Sequence, residues 1–117
     1  MTRKLIAEAL GTFALVFTGC GAIVVNDVSG GAIGHLGICT IFGLIVMAIV
    51  YSFGDVSGAH INPAVTIAFW LSGRFPAKEV APYIVAQCIG SIAACGLMLF
   101  LFPNEGTYLG STLVSGT

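Results

Sequence analysis

Three long apolar runs alternate with short polar stretches along this chain of 117 residues. The runs cover about residues 5–25, 36–53 and 80–102. Each holds about 18 to 23 residues, which is enough for an α-helix to cross the roughly 30 Å hydrocarbon core of a bilayer. The pattern therefore predicts three transmembrane helices.

A shorter helix is predicted between the second and third runs. Asn62 is a favourable N-cap residue, and Pro63 suits the first helical position because its missing N–H would have no partner there. The apolar residues that follow, as far as Leu71, make a helix of about 15 Å, or half the bilayer core. Irregular backbone at 58–61 is tolerated at membrane depth only where it is buried in protein or lines a water-filled cavity. We therefore expect a re-entrant loop and half-helix over about residues 54–72.

Composition supports a membrane protein. Charged residues make up 8% and hydrophobic residues 57% of the chain, whereas a soluble domain carries about 25% charged residues. A net charge of −1 provides no basic face, so nucleic acid is not an expected partner. Four cysteines lie in the apolar runs without Cys-x-x-Cys spacing, and we expect small buried hydrophobes rather than disulfides or metal ligands: Cys20, Cys39, Cys88 and Cys95.

The basic residues predict the orientation. With three spans, every Lys and Arg falls on one side of the membrane, which the positive-inside rule makes cytoplasmic. The N-terminus is then cytoplasmic and the tail at 103–117 external. A cleaved signal peptide is the alternative for the first run, but the run is long and contains Glu8. The basic residues are Arg3, Lys4, Arg74 and Lys78.

Three segments resemble one known family. Residues 57–66, Ser-Gly-Ala-His-Ile-Asn-Pro-Ala-Val-Thr, resemble the first Asn-Pro-Ala box of the aquaporin and glycerol-facilitator family. Residues 7–13, Ala-Glu-Ala-Leu-Gly-Thr-Phe, resemble its first-helix signature. Residues 73–80, followed by Ala86-Gln87, resemble the bacterial aquaporin-Z type. The matches follow the family's order, and the sequence has no second Asn-Pro-Ala.

This resemblance implies the amino-terminal half of such a channel. The expected fold is an all-α membrane protein, half of an aquaporin-like right-handed bundle, with three transmembrane helices and one re-entrant half-helix. Residues 1–117 would form a single module, the first of two repeats. Because an odd number of spans reverses direction, a second repeat in tandem would be inverted.

The resemblance also assigns pore residues. The Asn-Pro-Ala motif would lie at mid-channel, where Asn62 orients a file of water or polyol. The positive end of the half-helix would disfavour protons and cations. Backbone carbonyls of four residues would form a ladder of acceptors along the pore. The motif is Asn62, Pro63 and Ala64, and the ladder is Gly58, Ala59, His60 and Ile61.

Further residues receive supporting roles by the same resemblance. Phe42 matches the aromatic residue of the selectivity filter, where Phe favours water and Trp glycerol. Leu15 and Val46 match apolar pore-wall positions. Glu8 would accept hydrogen bonds from the re-entrant loop, with His60 nearby, although a solvated Glu8 at the cytoplasmic interface remains an alternative. No nucleophile or metal set accompanies them, so we expect neither catalysis nor a cofactor.

The expected function is a passive water channel in the membrane, of which this chain forms the first repeat. Conduction would need a second repeat in cis or in trans, and the resemblance implies homotetramers in a bacterial-type plasma membrane. The expected partners are water, small neutral solutes and lipid. One alternative is half of a glycerol or small-solute facilitator, and a secondary transporter half is less favoured. Another is a non-conducting membrane module that binds other aquaporin chains through a stripe of small residues: Ala86, Gly90 and Ala94.

Overall fold

The structure is a computed structural model of the chain, and it describes residues 1–103. Within this range all regular secondary structure is helical: α1 (Thr2–Val28), α2 (Gly34–Ser57), α3 (Pro63–Leu71) and α4 (Ala77–Leu101). Three of these helices, α1, α2 and α4, are long and apolar enough to cross a membrane. The predicted all-α fold of three spans and one short helix is confirmed. The expected external tail begins at Pro103, and its residues after Pro103 lie outside the described range.

The long helices extend past the apolar runs that predicted them. The second run ends at Phe53, yet α2 continues through the polar residue Asp55 to Ser57. It stops only where Gly58 adopts a left-handed conformation with φ 88°, which a residue without Cβ reaches at no steric cost. The irregular segment therefore begins at Gly58 and not at residue 54. An apolar run marks the part of a helix that lies in lipid, and the helix itself ends at a capping residue.

Helices α1 and α4 approach each other closely at Gly90. A Cβ atom added to Gly90 would lie 2.2 Å from the carbonyl oxygen of Ala9 on α1. Ala86 and Ala94, one turn to either side, are 7% and 0% exposed. The stripe of small residues that we expected to receive a helix of another chain is therefore covered from within, and the interaction-module hypothesis loses its proposed surface.

Helix α2 is the least covered of the three long helices. Only 6% of the residues in its apolar 18-residue stretch are buried, compared with 33% for the corresponding stretch of α1 and 28% for that of α4. The ring of Phe42 on α2 packs closely on Gly19 of α1, and a Cβ atom added at Gly19 would collide with the ring. Several of its other large side chains are exposed, with Leu36 at 81% and Tyr51 at 85%.

The four cysteines are free thiols, but they are not uniformly buried. Cys20 and Cys95 are half-buried, whereas Cys39 and Cys88 are exposed. The expectation of buried cysteines is wrong for the last two, because Cys39 lies on the uncovered helix α2 and Cys88 on a part of α4 that α1 does not cover.

Candidate functional site

The loop between α2 and α3, residues 58–62, has an unusual backbone. After Gly58, the residues Ala59 and Ile61 also have positive φ values, of 50° and 48°. Such conformations cost free energy in residues that carry a Cβ atom, and they persist where the surrounding structure fixes them. Asn62 then returns to extended backbone, and its side-chain oxygen accepts a hydrogen bond from the N–H of Ala64 at 2.8 Å. The structure thus places Asn62 as the N-cap of α3.

A single carboxylate from α1 holds this loop. Glu8 is 0% exposed, so the alternative of a solvated Glu8 is wrong. Its Oε2 accepts hydrogen bonds from the Ser57 hydroxyl at 2.6 Å and the His60 N–H at 3.1 Å. Its Oε1 accepts from the Ile61 N–H and from Gln87 Nε2, both at 2.8 Å. One side chain therefore connects α1 with the end of α2, the loop and α4.

A second layer of hydrogen bonds ties the start of α3 to α4. The Thr66 hydroxyl, which is fully buried, accepts from Gln87 Nε2 at 3.0 Å and lies 3.0 Å from His60 Nδ1. Tyr83 of α4 donates its hydroxyl to the carbonyl of Ser57 at 2.7 Å. The short helix is therefore held by polar contacts as well as by its packing against α4.

The imidazole of His60 lies among aromatic rings rather than against the carboxylate. Its ring centroid is 4.8 Å from those of Phe69 and Phe75 and 5.1 Å from that of Tyr83.

The carbonyl side of the loop contrasts with its N–H side. Within residues 1–103, no protein donor reaches the carbonyl oxygens of Gly58, Ala59, His60 and Ile61. The flanking carbonyls of Ser57 and Asn62 do accept hydrogen bonds, from Tyr83 and from Thr66. The four residues expected to form the ladder thus carry consecutive carbonyl acceptors that no donor of residues 1–103 occupies.

A cavity of about 350 Å³ lies beside the tip of α3. Leu15 lines it from α1, Asn62 and Pro63 from the tip of α3, and Gln87 and Cys88 from α4. Of the residues expected in the pore, the structure thus brings Leu15 to the Asn-Pro-Ala motif.

The expected pore residues of α2 lie elsewhere. Phe42 packs on Gly19 of α1, and Val46 is 38% exposed. Neither belongs to the lining of the cavity beside Asn62. Across residues 1–103 there is also no group of three or more His, Cys, Asp or Glu side chains that could hold a metal ion.

Four residues of the network had no role assigned from the sequence: Ser57, Thr66, Tyr83 and Gln87. Ser57, Thr66 and Gln87 belong to the segments that carry the family resemblance. The available signal was polarity inside an apolar run, since a buried polar group needs a hydrogen-bond partner. Gln87, in the middle of the third run, carried that signal most clearly.

Comparison with known proteins identifies relatives along nearly the whole chain. A family model described as Major intrinsic protein matches residues 1–116. The chain is 54% identical over 113 residues to the probable aquaporin NIP-type of Nicotiana alata, covering 96% of this chain and 42% of that protein. It is 48% identical over 115 residues to aquaporin NIP1-3 of Oryza sativa subsp. japonica, covering 98% and 40%.

A third relative is nodulin-26 of Glycine max, with 44% identity over 115 residues, 98% of this chain and 42% of that protein. The chain therefore spans about two-fifths of the length of these relatives. All three are plant proteins, so they give no support to the bacterial membrane expected from the resemblance to the aquaporin-Z type.

Proposed function

The chain belongs to the major intrinsic protein family. On this basis we propose that it forms one wall of a passive transmembrane channel for water, and that it is not an enzyme. The observation that carries the proposal is the one-sided loop. The N–H groups of residues 58–61 are bound to protein, whereas the four carbonyl oxygens of the same residues have no protein donor within residues 1–103. Carbonyl groups at membrane depth need donors, and water in a pore supplies them.

The half-helix α3 adds the second element of the proposal. Its amino end carries a partial positive charge of about half an elementary charge, which disfavours the passage of protons and cations. The oxygen of Asn62 is occupied by the Ala64 N–H, so its NH₂ group is the part left to donate to a passing molecule. Water or a small neutral polyol is a suitable acceptor for that group.

We further propose that conduction requires a second repeat, in cis or in trans. The relatives are more than twice as long as this chain, and among residues 1–103 the cavity beside Asn62 is lined only by α1, the loop before α3, α3 and α4. In this proposal the N-terminus is cytoplasmic, following the four basic residues. The complete channel assembles as a homotetramer.

Stopped-flow light scattering on liposomes tests this function. Liposomes that hold the chain alone should show no water permeability above that of lipid. Co-reconstitution with the polypeptide that follows the aligned segment in the Nicotiana alata relative should raise it. Conduction by the chain alone would overturn the need for a second repeat. Absence of conduction in a complex shown to be assembled would overturn the channel function itself.

Asn62→Asp is a focused test of the half-helix tip in the assembled channel. Aspartate caps a helix as well as asparagine does, so the Ala64 contact and the fold should be retained. The added negative charge should change ion and solute permeation. Unchanged permeation in a folded variant would remove Asn62 from the pore.

Phe42 is proposed as the filter residue that excludes glycerol. Phe42→Ala should let glycerol through the assembled channel, with Leu44→Ala as the control on the same helix, because Leu44 is 54% exposed. Equal glycerol exclusion before and after the Phe42 substitution would contradict this role.

A further inference from the structure

Two cavities adjoin each other between the first turns of α1 and the last turns of α2. The first, of about 270 Å³, is lined by Arg3 and Lys4 of α1 and by Asp55 of α2. The second has a volume of about 200 Å³ and shares Arg3 and Val56 with the first. Together they form one groove with a charged end, which we call the α1–α2 groove. The rest of its lining is apolar: Ile6, Ala7, Leu10, Phe53 and Val56.

The charged end of the α1–α2 groove lies where a membrane-spanning bundle meets the lipid headgroups. Arg3 precedes the apolar run of α1, and Asp55 follows the apolar run of α2. The apolar part of the groove lies within those runs, and its residues Ile6 and Leu10 are 54% and 52% exposed. The groove is therefore open to the surroundings of the bundle, with its charged end at headgroup depth and its apolar part at the depth of the acyl chains.

The charges at this end of the groove are of both signs. Lys4 Nζ lies 3.4 Å from Glu79 Oε1, so the charge of Lys4 is already offset within the chain. Arg3 and Asp55 are both exposed and line the same cavity, yet neither forms an ion pair within residues 1–103. One cation on α1 and one anion on α2 thus remain for a ligand, and a ligand that carries both signs of charge complements them.

We propose that the α1–α2 groove binds a phospholipid with a primary ammonium headgroup, of the phosphatidylethanolamine class. The lipid phosphate accepts hydrogen bonds from the Arg3 guanidinium, whose planar set of donors matches phosphate oxygens. The lipid ammonium donates to the Asp55 carboxylate. An acyl chain then packs along Ile6, Leu10 and Phe53, which removes apolar surface of both partners from the polar interface.

Competing phospholipids satisfy only part of this arrangement. Phosphatidylcholine carries a quaternary ammonium, which has no N–H to donate to Asp55. Phosphatidylglycerol has the phosphate for Arg3 but no cation for Asp55, whose carboxylate then repels it. The groove therefore selects by headgroup, and a purely basic site would instead prefer the anionic lipid.

This inference goes beyond the proposed function and does not depend on it. No residue of the α1–α2 groove lines the cavity beside Asn62. A lipid held in the groove adds a contact between α1 and α2, the least covered of the long helices, just before the loop that begins at Gly58.

Native mass spectrometry of the full chain, released from detergent micelles, tests the headgroup preference. The chain is titrated separately with phosphatidylethanolamine, phosphatidylcholine and phosphatidylglycerol that carry the same palmitoyl and oleoyl chains. Phosphatidylethanolamine should bind about 3- to 10-fold more tightly than either of the others, as expected for one additional hydrogen-bonded ionic contact. Equal affinities for the three lipids, or tighter binding of phosphatidylglycerol, would overturn the inference.

Matched variants locate the site. Asp55→Asn should remove the preference for phosphatidylethanolamine over phosphatidylglycerol, and Arg3→Gln should weaken the binding of both lipids. The same changes at exposed positions outside the groove, Asp27→Asn and Arg74→Gln, should leave each affinity within about twofold, since they remove none of these contacts. An undiminished preference in the Asp55→Asn variant, or an equal loss in its control, would contradict the inference.

Fluorescence quenching gives a second readout, for the acyl chain. The chain has a single tryptophan, so Phe53→Trp in a Trp70→Phe background places the only indole in the groove. Phosphatidylethanolamine with brominated acyl chains should quench it more strongly than brominated phosphatidylcholine. Leu44→Trp in the same background, at a position of α2 that is 54% exposed, should be quenched equally by both lipids. Equal quenching at position 53 would overturn the inference, and if that variant does not fold, the lipid titrations decide.

Discussion

The N–H groups and the carbonyl groups of residues 58–61 differ in how completely this chain supplies them with hydrogen-bond partners. On the N–H side, the Glu8 carboxylate accepts from His60 and Ile61, and the Ser57 hydroxyl accepts from Ala59. On the carbonyl side, four successive oxygens have no donor within residues 1–103. The N–H groups of residues 58–61 therefore have partners on α1 and α2, whereas the carbonyl oxygens of the same residues have none within residues 1–103.

This difference distinguishes the N–H groups, whose hydrogen bonds stabilise the fold, from the carbonyl groups, which remain available to a ligand. The N–H side depends on buried, charge-assisted hydrogen bonds, which are among the stronger interactions of a folded chain. The carbonyl side contributes none within the described residues. Substitutions on the first side should therefore affect folding, and substitutions on the second should affect permeation.

The largest effect is expected for Glu8→Gln. The amide supplies one acceptor oxygen where the carboxylate supplies two, so its NH₂ group must face donors such as Ile61 N–H and Gln87 Nε2. Since each hydrogen bond to a charged group contributes about 1.5–3 kcal/mol, the free energy of unfolding should fall by about 3–5 kcal/mol. Titration with SDS in mixed micelles, followed by circular dichroism, measures the change.

Glu79→Gln is the matched control for that prediction. Glu79 forms an ion pair with Lys4 at 3.4 Å, but the Lys4 side chain is 43% exposed. Partly exposed pairs contribute about 1 kcal/mol or less. Equal losses in the two variants would contradict the central role of Glu8.

The next largest effect is expected for Gly90→Ala. Its new Cβ atom would lie 2.2 Å from the Ala9 carbonyl, so α1 and α4 must move apart, and with them Glu8 and Gln87. Overpacking of this kind costs about 1–3 kcal/mol. Gly96→Ala on the same helix meets nothing within 4 Å and should be neutral or stabilising by up to about 1 kcal/mol. Thermal unfolding of both variants in detergent checks the difference, and equal midpoints would show that the two helices are not in close contact at Gly90.

A smaller loss of stability is expected for Asn62→Ala, at the exposed tip of α3. The substitution removes the acceptor for the Ala64 N–H, and loss of an N-cap costs about 1 kcal/mol. The free energy of unfolding should therefore change much less than for Glu8→Gln. Permeation through the assembled channel should change even though the variant remains folded. A loss as large as that of Glu8→Gln would remove the contrast between the two sides.

Local features of the fold were predictable from the sequence, and its pairings were not. Asn62 and Pro63 carry their own capping chemistry, so the start of α3 follows from two adjacent residues. The stripe of small residues around Gly90 was recognisable as a site of close helix approach, but the sequence did not indicate which helix packs against it. The role of Gln87 likewise depends on contacts 79 and 21 residues away in the chain, and local patterns do not encode such contacts.

The separation of Glu8 from its donors along the chain has a consequence for biogenesis. The carboxylate precedes the loop groups that bind it by 49 to 53 residues and the amide of Gln87 by 79. During translation the acceptor is therefore in place before any of these donors leaves the ribosome. The loop at residues 58–62 is able to pack against a first helix that has already been made, and the emergence of α4 then adds the hydrogen bond of Gln87 to Glu8.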